Sequence, residues 1–152
     1  MSAGDGAITL REITADNVRA VCDLKLAPGQ EIYVAPSAVS IAEAHYEPNA
    51  WLRAVYAAEE PVGLVLLDLD TEHQRYHLVR LMVDSGHQRR GVGRRAVDLL
   101  VDHVRELPGA TELLTSYVAG PQSPSAFYEE LGFNDTGRVE EGERVLSLRL
   151  RL

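Results

Sequence analysis

The sequence predicts an α+β (mixed α/β) fold, formed by one domain that spans residues 1–152. A length of 152 residues is that of one ordinary globular domain. Apolar residues alternate in several short segments, as in strands, and recur every three or four residues in others, as in helices. The segments follow the order strand, two helices, three strands, helix, strand, helix, two strands, which differs from the regular alternation of a Rossmann sheet.

The first half of the chain predicts one strand, two helices and an antiparallel meander. The strand covers 8–13, and Thr14 caps a helix whose inner face carries Val18, Val21 and Cys22, with Cys22 as core filler. Pro36-Ser37 opens a second helix that ends before Glu47-Pro48. Three strands follow, at Trp51–Ala57, Val62–Asp68 and Tyr76–Val83. Since residues 62–67 are apolar on both faces, their strand should lie centrally in the sheet.

The second half begins with the clearest helix. From Gly91 onward an apolar residue recurs every fourth position, at Val92, Ala96, Leu100 and Val104, until Leu107-Pro108-Gly109 ends the helix. We then expect a strand at Glu112–Val118, a short helix from Ser123 or Ser125 to Leu131, and a closing hairpin of Phe133–Val139 with Arg144–Leu150. In the last strand apolar and polar residues alternate up to Leu152. This strand either completes the sheet or pairs with a second copy of the chain in a homodimer.

Composition narrows the class of function. A formal charge of −8 disfavours nucleic acid and anionic membranes as partners and would attract a cationic small molecule, although acidity also serves solubility. One cysteine permits neither an internal disulfide nor a cysteine-based zinc site, and the five histidines lack zinc-ligand spacing, so we predict no metal. Residues 1–8 have no basic flank and no apolar core, which predicts a cytoplasmic protein without a signal peptide or membrane anchor.

The most informative segment is Gln88-Arg89-Arg90-Gly91-Val92-Gly93, between a predicted strand and the long helix. The free amides of a helix N-terminus bind phosphate when no side chain blocks the approach, and two glycines remove that block here. Arginines at positions 89, 90, 94 and 95 add positive charge. The spacing is neither that of a Walker motif nor that of a dinucleotide fingerprint, so the segment indicates a different polyanionic ligand.

This segment resembles the pyrophosphate loop, [QR]-x-x-[GA]-x-[GA], of the GNAT superfamily of acyl-CoA-dependent N-acyltransferases. Phe127-Tyr128-Glu129-Glu130-Leu131-Gly132-Phe133 is similar to a second family signature, and the element order from Ile8 to Leu152 is similar as well. Residues 37–48, 80–83 and 116–118 look most like those of bacterial diamine and spermine/spermidine acetyltransferases. The resemblance implies a GNAT-like fold: a mostly antiparallel sheet of six to seven strands, about four flanking helices, and fourth and fifth strands that splay apart.

The resemblance also implies acetyl-CoA as cofactor and assigns roles. The backbone of Leu81, Met82 and Val83 would hold the pantetheine arm and polarise the thioester carbonyl. Tyr128 would protonate the departing thiolate, although a plain core aromatic would have the same spacing. The remaining cofactor contacts would come from Gln88, Arg89, Arg90, Gly91, Val92, Gly93, Arg94, Ser123 and Phe127.

Two departures from the family pattern stand out. Pro121 occupies the position, seven residues before Tyr128, at which many members carry a cofactor-binding asparagine, and Ser123 or Ser125 is the candidate replacement. The segment from His77 to Val83 contains no carboxylate, whereas several polyamine acetyltransferases carry a glutamate on the fourth strand. The general base is therefore unassigned.

For the acceptor we expect a cationic amine, because acidic and tyrosine residues fall in the helical region that forms one wall of the acceptor cleft in this superfamily. The candidates are Glu31, Tyr33, Glu43 and Tyr46, with a second acidic cluster at Asp68, Asp70 and Glu72. Arg80 needs an anionic partner, which is either an internal carboxylate or a substrate carboxylate. The prediction is acetyl transfer to a primary amine of a polyamine or diamine by direct attack in a ternary complex. The alternatives are another amine (an amino acid, an antibiotic or a protein N-terminus) and a non-catalytic acyl-CoA sensor.

Overall fold

The computed structural model describes residues 7–151, and its centre is a seven-stranded sheet with the order β1-β2-β3-β4-β5-β7-β6. Every neighbouring pair is antiparallel except β4 and β5, which are parallel. The strands are β1 Ile8–Arg11, β2 Ala50–Ala57, β3 Glu60–Asp70, β4 Arg75–Val83, β5 Glu112–Tyr117, β6 Asn134–Glu140 and β7 Glu143–Arg149. The helices are α1 Val18–Cys22, α2 Ser37–Tyr46, α3 Val92–Arg105 and α4 Ser125–Glu130. The mixed α/β fold and its mostly antiparallel sheet are confirmed; residues 1–6 and Leu152 lie outside the described residues.

The two faces of the sheet pack against different helices. On one face Val65 and Leu67 of β3 join the buried side chains of α3, which carries an apolar residue at nearly every fourth position. On the other face Leu64 and Leu66 pack with Val21 of α1 and with α2. Residues 62–67 are all buried, so the predicted central position of β3 is confirmed. Burying a valine or leucine side chain contributes roughly 1.5–3 kcal/mol, so the buried side chains of β3 contribute a large part of the stability of the core.

The short helix α1 differs from the expectation. Thr14 does not cap it: its hydroxyl accepts from the Asp16 N–H at 3.2 Å, and the helix begins four residues later, at Val18. Cys22 is exposed, so its assignment to the core was wrong. Helix α1 has only five residues and packs one narrow face on the sheet, and Val21 is its one fully buried residue.

A β-bulge interrupts β4. Leu66 of β3 pairs with Arg80 and Leu67 pairs with Leu78, so Val79 is an extra residue on β4. Because side chains alternate along a strand, the extra residue moves Arg80 to the face opposite Leu78. The expectation that these two share a face was therefore wrong, since alternation alone does not reveal a bulge.

The parallel strands β4 and β5 pair at only two positions, His77 with Leu114 and Leu78 with Thr115. Beyond Leu78 and Thr115 they part, which confirms the predicted splay of the fourth and fifth strands. Strand β7 lies between β5 and β6 and pairs with both, so it completes the sheet. Within residues 7–151 no helix is long and apolar enough to cross a membrane.

Candidate active site

A cavity of about 540 Å³ opens where β4 and β5 part. Its walls come from the end of β4, the turn into α3, the segment between α1 and α2, and α4 with the loop before it. Eleven of the twelve predicted cofactor-binding residues line it, as does Tyr128: Leu81, Met82, Val83, Gln88, Arg89, Gly91, Val92, Gly93, Arg94, Ser123 and Phe127. Arg90 is the twelfth, and it does not line the cavity.

The first turn of α3 has the geometry of a cradle that could hold an anion. Gly91 precedes the helix with φ of 80°, a left-handed conformation that glycine adopts without strain. Because the N-cap residue has no side chain, the first amides of the helix receive no side-chain cap. The helical ladder starts with the Arg95 N–H donating to Gly91 O at 3.0 Å, so the preceding amides point along the axis toward the cavity. A Cβ on Gly91 would meet nothing within 4 Å, whereas one on Gly93 would come within 3.2 Å of Phe127. The space above these amides is thus open to a pyrophosphate.

The side-chain amide of Gln88 fixes this loop to its neighbours. It donates to Val83 O of β4 at 2.9 Å and to Gln30 Oε1 at 2.8 Å. Gln30 belongs to a short 3₁₀ turn, Gln30–Ile32, between α1 and α2. The first residue of the loop motif therefore holds β4, the phosphate cradle and the α1–α2 segment together.

Asp84, directly after β4, ties the turn that precedes the phosphate loop to the segment between α1 and α2. Its carboxylate accepts the backbone N–H groups of Lys25 at 2.8 Å and Gly86 at 3.2 Å, and lies 3.2 Å from His87 Nδ1. Burial raises the pKa of this carboxyl, but the hydrogen bonds outweigh it and the net pKa is lowered. Asp84 stays ionised at neutral pH, and His87 lies on the cavity wall.

Tyr128 of α4 is buried among aromatic rings and also faces the cavity. Phe127 and Phe133 pack edge-on to it, with ring centroids 5.2 Å and 5.4 Å away. Burial raises the pKa of its phenol to about 12, and the nearby Thr115 side chain partly offsets this. Tyr128 therefore packs in the core, as a plain core aromatic would, and it also reaches the cavity in which the catalytic role was predicted.

The loop before α4 takes an unusual course at the Pro121 departure. The carbonyl of Pro121 accepts a hydrogen bond from the Tyr33 hydroxyl, which joins this loop to the α1–α2 segment across the cavity. Gln122 has φ of 62° and, with Ser123, lines the cavity. Ser123 Oγ lies 3.1 Å from Ser125 Oγ, so the two candidate replacements for the family asparagine bond to each other.

Only one of the five predicted acceptor residues lines the cavity. Tyr33 lines the cavity, whereas Glu31, Glu43, Tyr46 and Arg80 do not. Tyr46 is 82% exposed. Arg80 Nη1 donates to Glu43 Oε2 at 2.9 Å, so an internal carboxylate satisfies the arginine. In the second acidic cluster, Asp70 is bonded to His73.

Several lining residues were not foreseen: Leu26, Gln30, Val34, Gln122, Pro124 and Glu130. Glu130 lies within the C-terminal family signature, Phe127 to Phe133, so the sequence could have predicted that it lies near the cavity. The α1–α2 residues carried none, because neither a motif nor a period marks them and a tertiary contact brings them to the cavity.

A helix-end phosphate cradle, a parted pair of strands and a buried tyrosine at the parting define the class of acyl-CoA-dependent acyltransferases. The profile of the acetyltransferase (GNAT) family matches residues 12–133, and the chain belongs to this family. The protein is accordingly an N-acetyltransferase, with acetyl-CoA as its cofactor. The residues present fit that cofactor, since the cradle and the β4 edge lie in one cavity.

The chain is similar to a curated relative in sequence and to solved structures in fold. The chain is 24% identical over 151 residues to the spermine/spermidine N(1)-acetyltransferase of Bacillus subtilis (strain 168), covering 92% of this chain and 97% of the relative. Among solved structures, an aminoglycoside 6'-N-acetyltransferase complexed with coenzyme A has a TM-score of 0.74 at 17% identity, over 96% of this chain and 98% of that one. The ribosomal-protein-S18-alanine N-acetyltransferase of Escherichia coli has a TM-score of 0.71 at 18% identity, over 96% of each chain. These structural likenesses establish the fold.

Proposed function

We propose that the protein transfers the acetyl group of acetyl-CoA to a primary amine of a polyamine or diamine, by direct attack in a ternary complex. The observation that carries this proposal is the parting of β4 and β5 over the cavity, because it leaves the end of β4 without a strand partner on the β5 side. The chain acts as one acetyltransferase domain in this proposal.

Each part of the cavity has a chemical role in the proposed reaction. The first-turn amides of α3, with Arg89 and Arg94, would hold the pyrophosphate of acetyl-CoA. The backbone at 81–83 would supply a fixed N–H to the thioester oxygen, where charge develops. Tyr128, which its raised pKa keeps protonated, would donate a proton to the leaving thiolate. The bound cofactor supplies an activated acetyl group.

Direct attack is favoured because the described part of the cavity lining offers no activated cysteine or serine for a covalent intermediate. Cys22 is exposed on α1 and is absent from the cavity lining, and Ser123 is bonded to Ser125 without a basic partner.

Two features favour a cationic acceptor over an amino acid. The net charge of −8 attracts cations. Arg80 is paired with Glu43, so it does not need a substrate carboxylate as its partner. The name of the Bacillus subtilis relative supports the same choice of substrate.

The test is thiol release from acetyl-CoA with spermidine, spermine, short diamines, amino acids and aminoglycosides, with mass spectrometry of the products. We expect an N-acetylated polyamine at a kcat/KM of about 10⁴ M⁻¹s⁻¹ or more. The no-amine reaction measures background hydrolysis. Turnover confined to amino acids or aminoglycosides would refute the substrate class, and tight acetyl-CoA binding without turnover on any amine would favour an acyl-CoA sensor.

A cytoplasmic location and a homodimer are further parts of the proposal. A single cysteine suits a reducing compartment. A dimer would not use β7 as an edge, because β7 is paired on both sides, whereas β1 and β6 end the sheet. Light scattering on the purified protein measures the oligomeric state.

A further inference from the structure

The last paired residues of β4 and β5 carry polar groups on both faces of the sheet. On the α3 face Thr115 contacts Tyr128, and its Oγ1 donates to Leu78 O at 3.0 Å. On the opposite face His77, which precedes Leu78, places Nε2 at 3.2 Å from Oγ of Ser116, which follows Thr115. Two hydrogen-bonded pairs therefore flank the point where the strands part, one on each side.

The surroundings of His77 keep its imidazole neutral. Burial is the dominant influence and lowers the pKa below the ordinary 6.5. The carboxylates of Asp68 on β3, Glu140 on β6 and Glu143 on β7 act in the opposite direction, and Arg75 on β4 adds to the lowering. With Nδ1 protonated, Nε2 can accept a hydrogen bond from the Ser116 hydroxyl.

The proposed reaction requires a proton acceptor, and the imidazole in the described cavity lining, that of His87, is already engaged by carboxylates, with Nδ1 at 3.2 Å from Asp84 and Nε2 at 3.8 Å from Glu60. A primary ammonium has an ordinary pKa near 10 and must lose a proton before it attacks. Among the lining residues described, Glu130 is the one carboxylate, and it lies 3.9 Å from Arg94 beside the phosphate cradle. His77 and Ser116 instead lie at the root of the split, on the sheet face opposite Tyr128.

We propose that His77 takes the proton of the substrate ammonium through Ser116, an assignment that rests on the proposed function. An N–H bond of the ammonium breaks and its proton moves to Ser116 Oγ, while the Ser116 proton moves to His77 Nε2. The nitrogen lone pair then forms the C–N bond to the acetyl carbon as the C–S bond breaks. Tyr128 protonates the sulfur, and the second proton lost by the nitrogen restores the phenol. The products are the acetamide, coenzyme A thiol and imidazolium, which releases its proton to solvent.

The experiment is the pH profile of kcat/KM for His77→Gln and Ser116→Ala, with acetyl-CoA and spermidine. In the wild type the profile should be flat above the pKa of His77, since imidazole accepts the proton. Each variant depends on amine that is already neutral in solution, so its rate should rise about tenfold per pH unit toward the pKa of the amine. At pH 7 we expect a loss of about a hundredfold or more. His73→Gln is the matched control, because His73 is exposed and bonded to Asp70.

Coenzyme A affinity, measured by calorimetry, should stay within about threefold of wild type in all three variants, which separates a lost proton acceptor from a damaged fold. A His77→Gln profile parallel to that of the wild type would overturn the assignment. A Ser116→Ala variant with wild-type rates would overturn the relay. If the wild type acetylates no amine, the proposed function fails first, whereas wild-type turnover with unaffected variants leaves the function and removes only the role of His77.

Discussion

Removing the Tyr128 hydroxyl tests the acid side of the proposed mechanism. Tyr128→Phe keeps the ring that packs between Phe127 and Phe133 and deletes only the phenol oxygen. We expect kcat to fall by about 10²–10⁴-fold, the usual contribution of a positioned general acid, which corresponds to roughly 2.7–5.5 kcal/mol. Coenzyme A affinity should barely change.

The structure also limits what the deletion can cost in stability. The variant loses only the polar contact of the phenol oxygen with its surroundings, which should cost at most about 1 kcal/mol, or about 2–4 °C in Tm for a chain of this size. At a pKa of about 12 the wild-type phenol is ionised in only about one molecule in ten thousand at pH 8. The wild-type rate should consequently show no decline near neutral pH from loss of this proton.

Tyr76→Phe is the matched control. Tyr76 is 1% exposed, and its hydroxyl donates to Pro108 O, outside the cavity lining. Its loss should lower Tm by a similar amount and leave kcat unchanged. Stopped-flow or steady-state thiol release gives the rates, and calorimetry gives Tm and affinity. If Tyr128→Phe retains kcat within about threefold of wild type, the tyrosine is a packing residue and the reasoning fails.

Three further predictions address the cofactor cavity and the pH dependence of stability. Gly93→Val should weaken coenzyme A binding at least tenfold, because even a Cβ there comes within 3.2 Å of Phe127; calorimetric affinity equal to wild type would contradict the cradle. Tyr33→Phe removes the hydrogen bond to Pro121 O across the cavity and should raise KM for acetyl-CoA about fivefold while kcat stays near wild type; a loss confined to kcat would be inconsistent with this role. The contribution of His77 to the free energy of unfolding should be fully present above pH 6.5. It should be lost as the pH falls toward the lowered pKa of the folded state, because the imidazole of the unfolded chain is protonated at a higher pH. The free energies of unfolding from denaturant titrations at pH 7.5 and 5.5 should therefore differ less in His77→Gln than in the wild type.

The sequence predicted most of the fold because its strongest signals are local. The four-residue period of α3 predicted a helix from Gly91 to about Leu107, and the structure has Val92–Arg105. The two-sided apolar segment of β3 predicted a central strand. Both patterns report burial, which is what stabilises these elements.

The position of the phosphate loop was predictable for the same reason, since Gln88 to Gly93 are contiguous and the proposed binding groups belong to one helix end. The acceptor side was not. Gln30 and Tyr33 reach the cavity only because Gln88, Asp84 and Pro121 hold the α1–α2 segment across it. Contacts between residues that are far apart in sequence produce no periodic pattern in the sequence.

The bulge at Val79 also makes the length of β4 as important as its composition. Val79 is 39% exposed, so many side chains fit there. Deleting it, however, would restore simple alternation and rotate the rest of the strand by one face. Arg80 would lose its contact with Glu43 and would lie on the apolar side of the sheet. The residues from Leu81 to Val83 would then present the opposite set of backbone groups to the cavity. This position should accept nearly any replacement during evolution but no loss or gain of a residue.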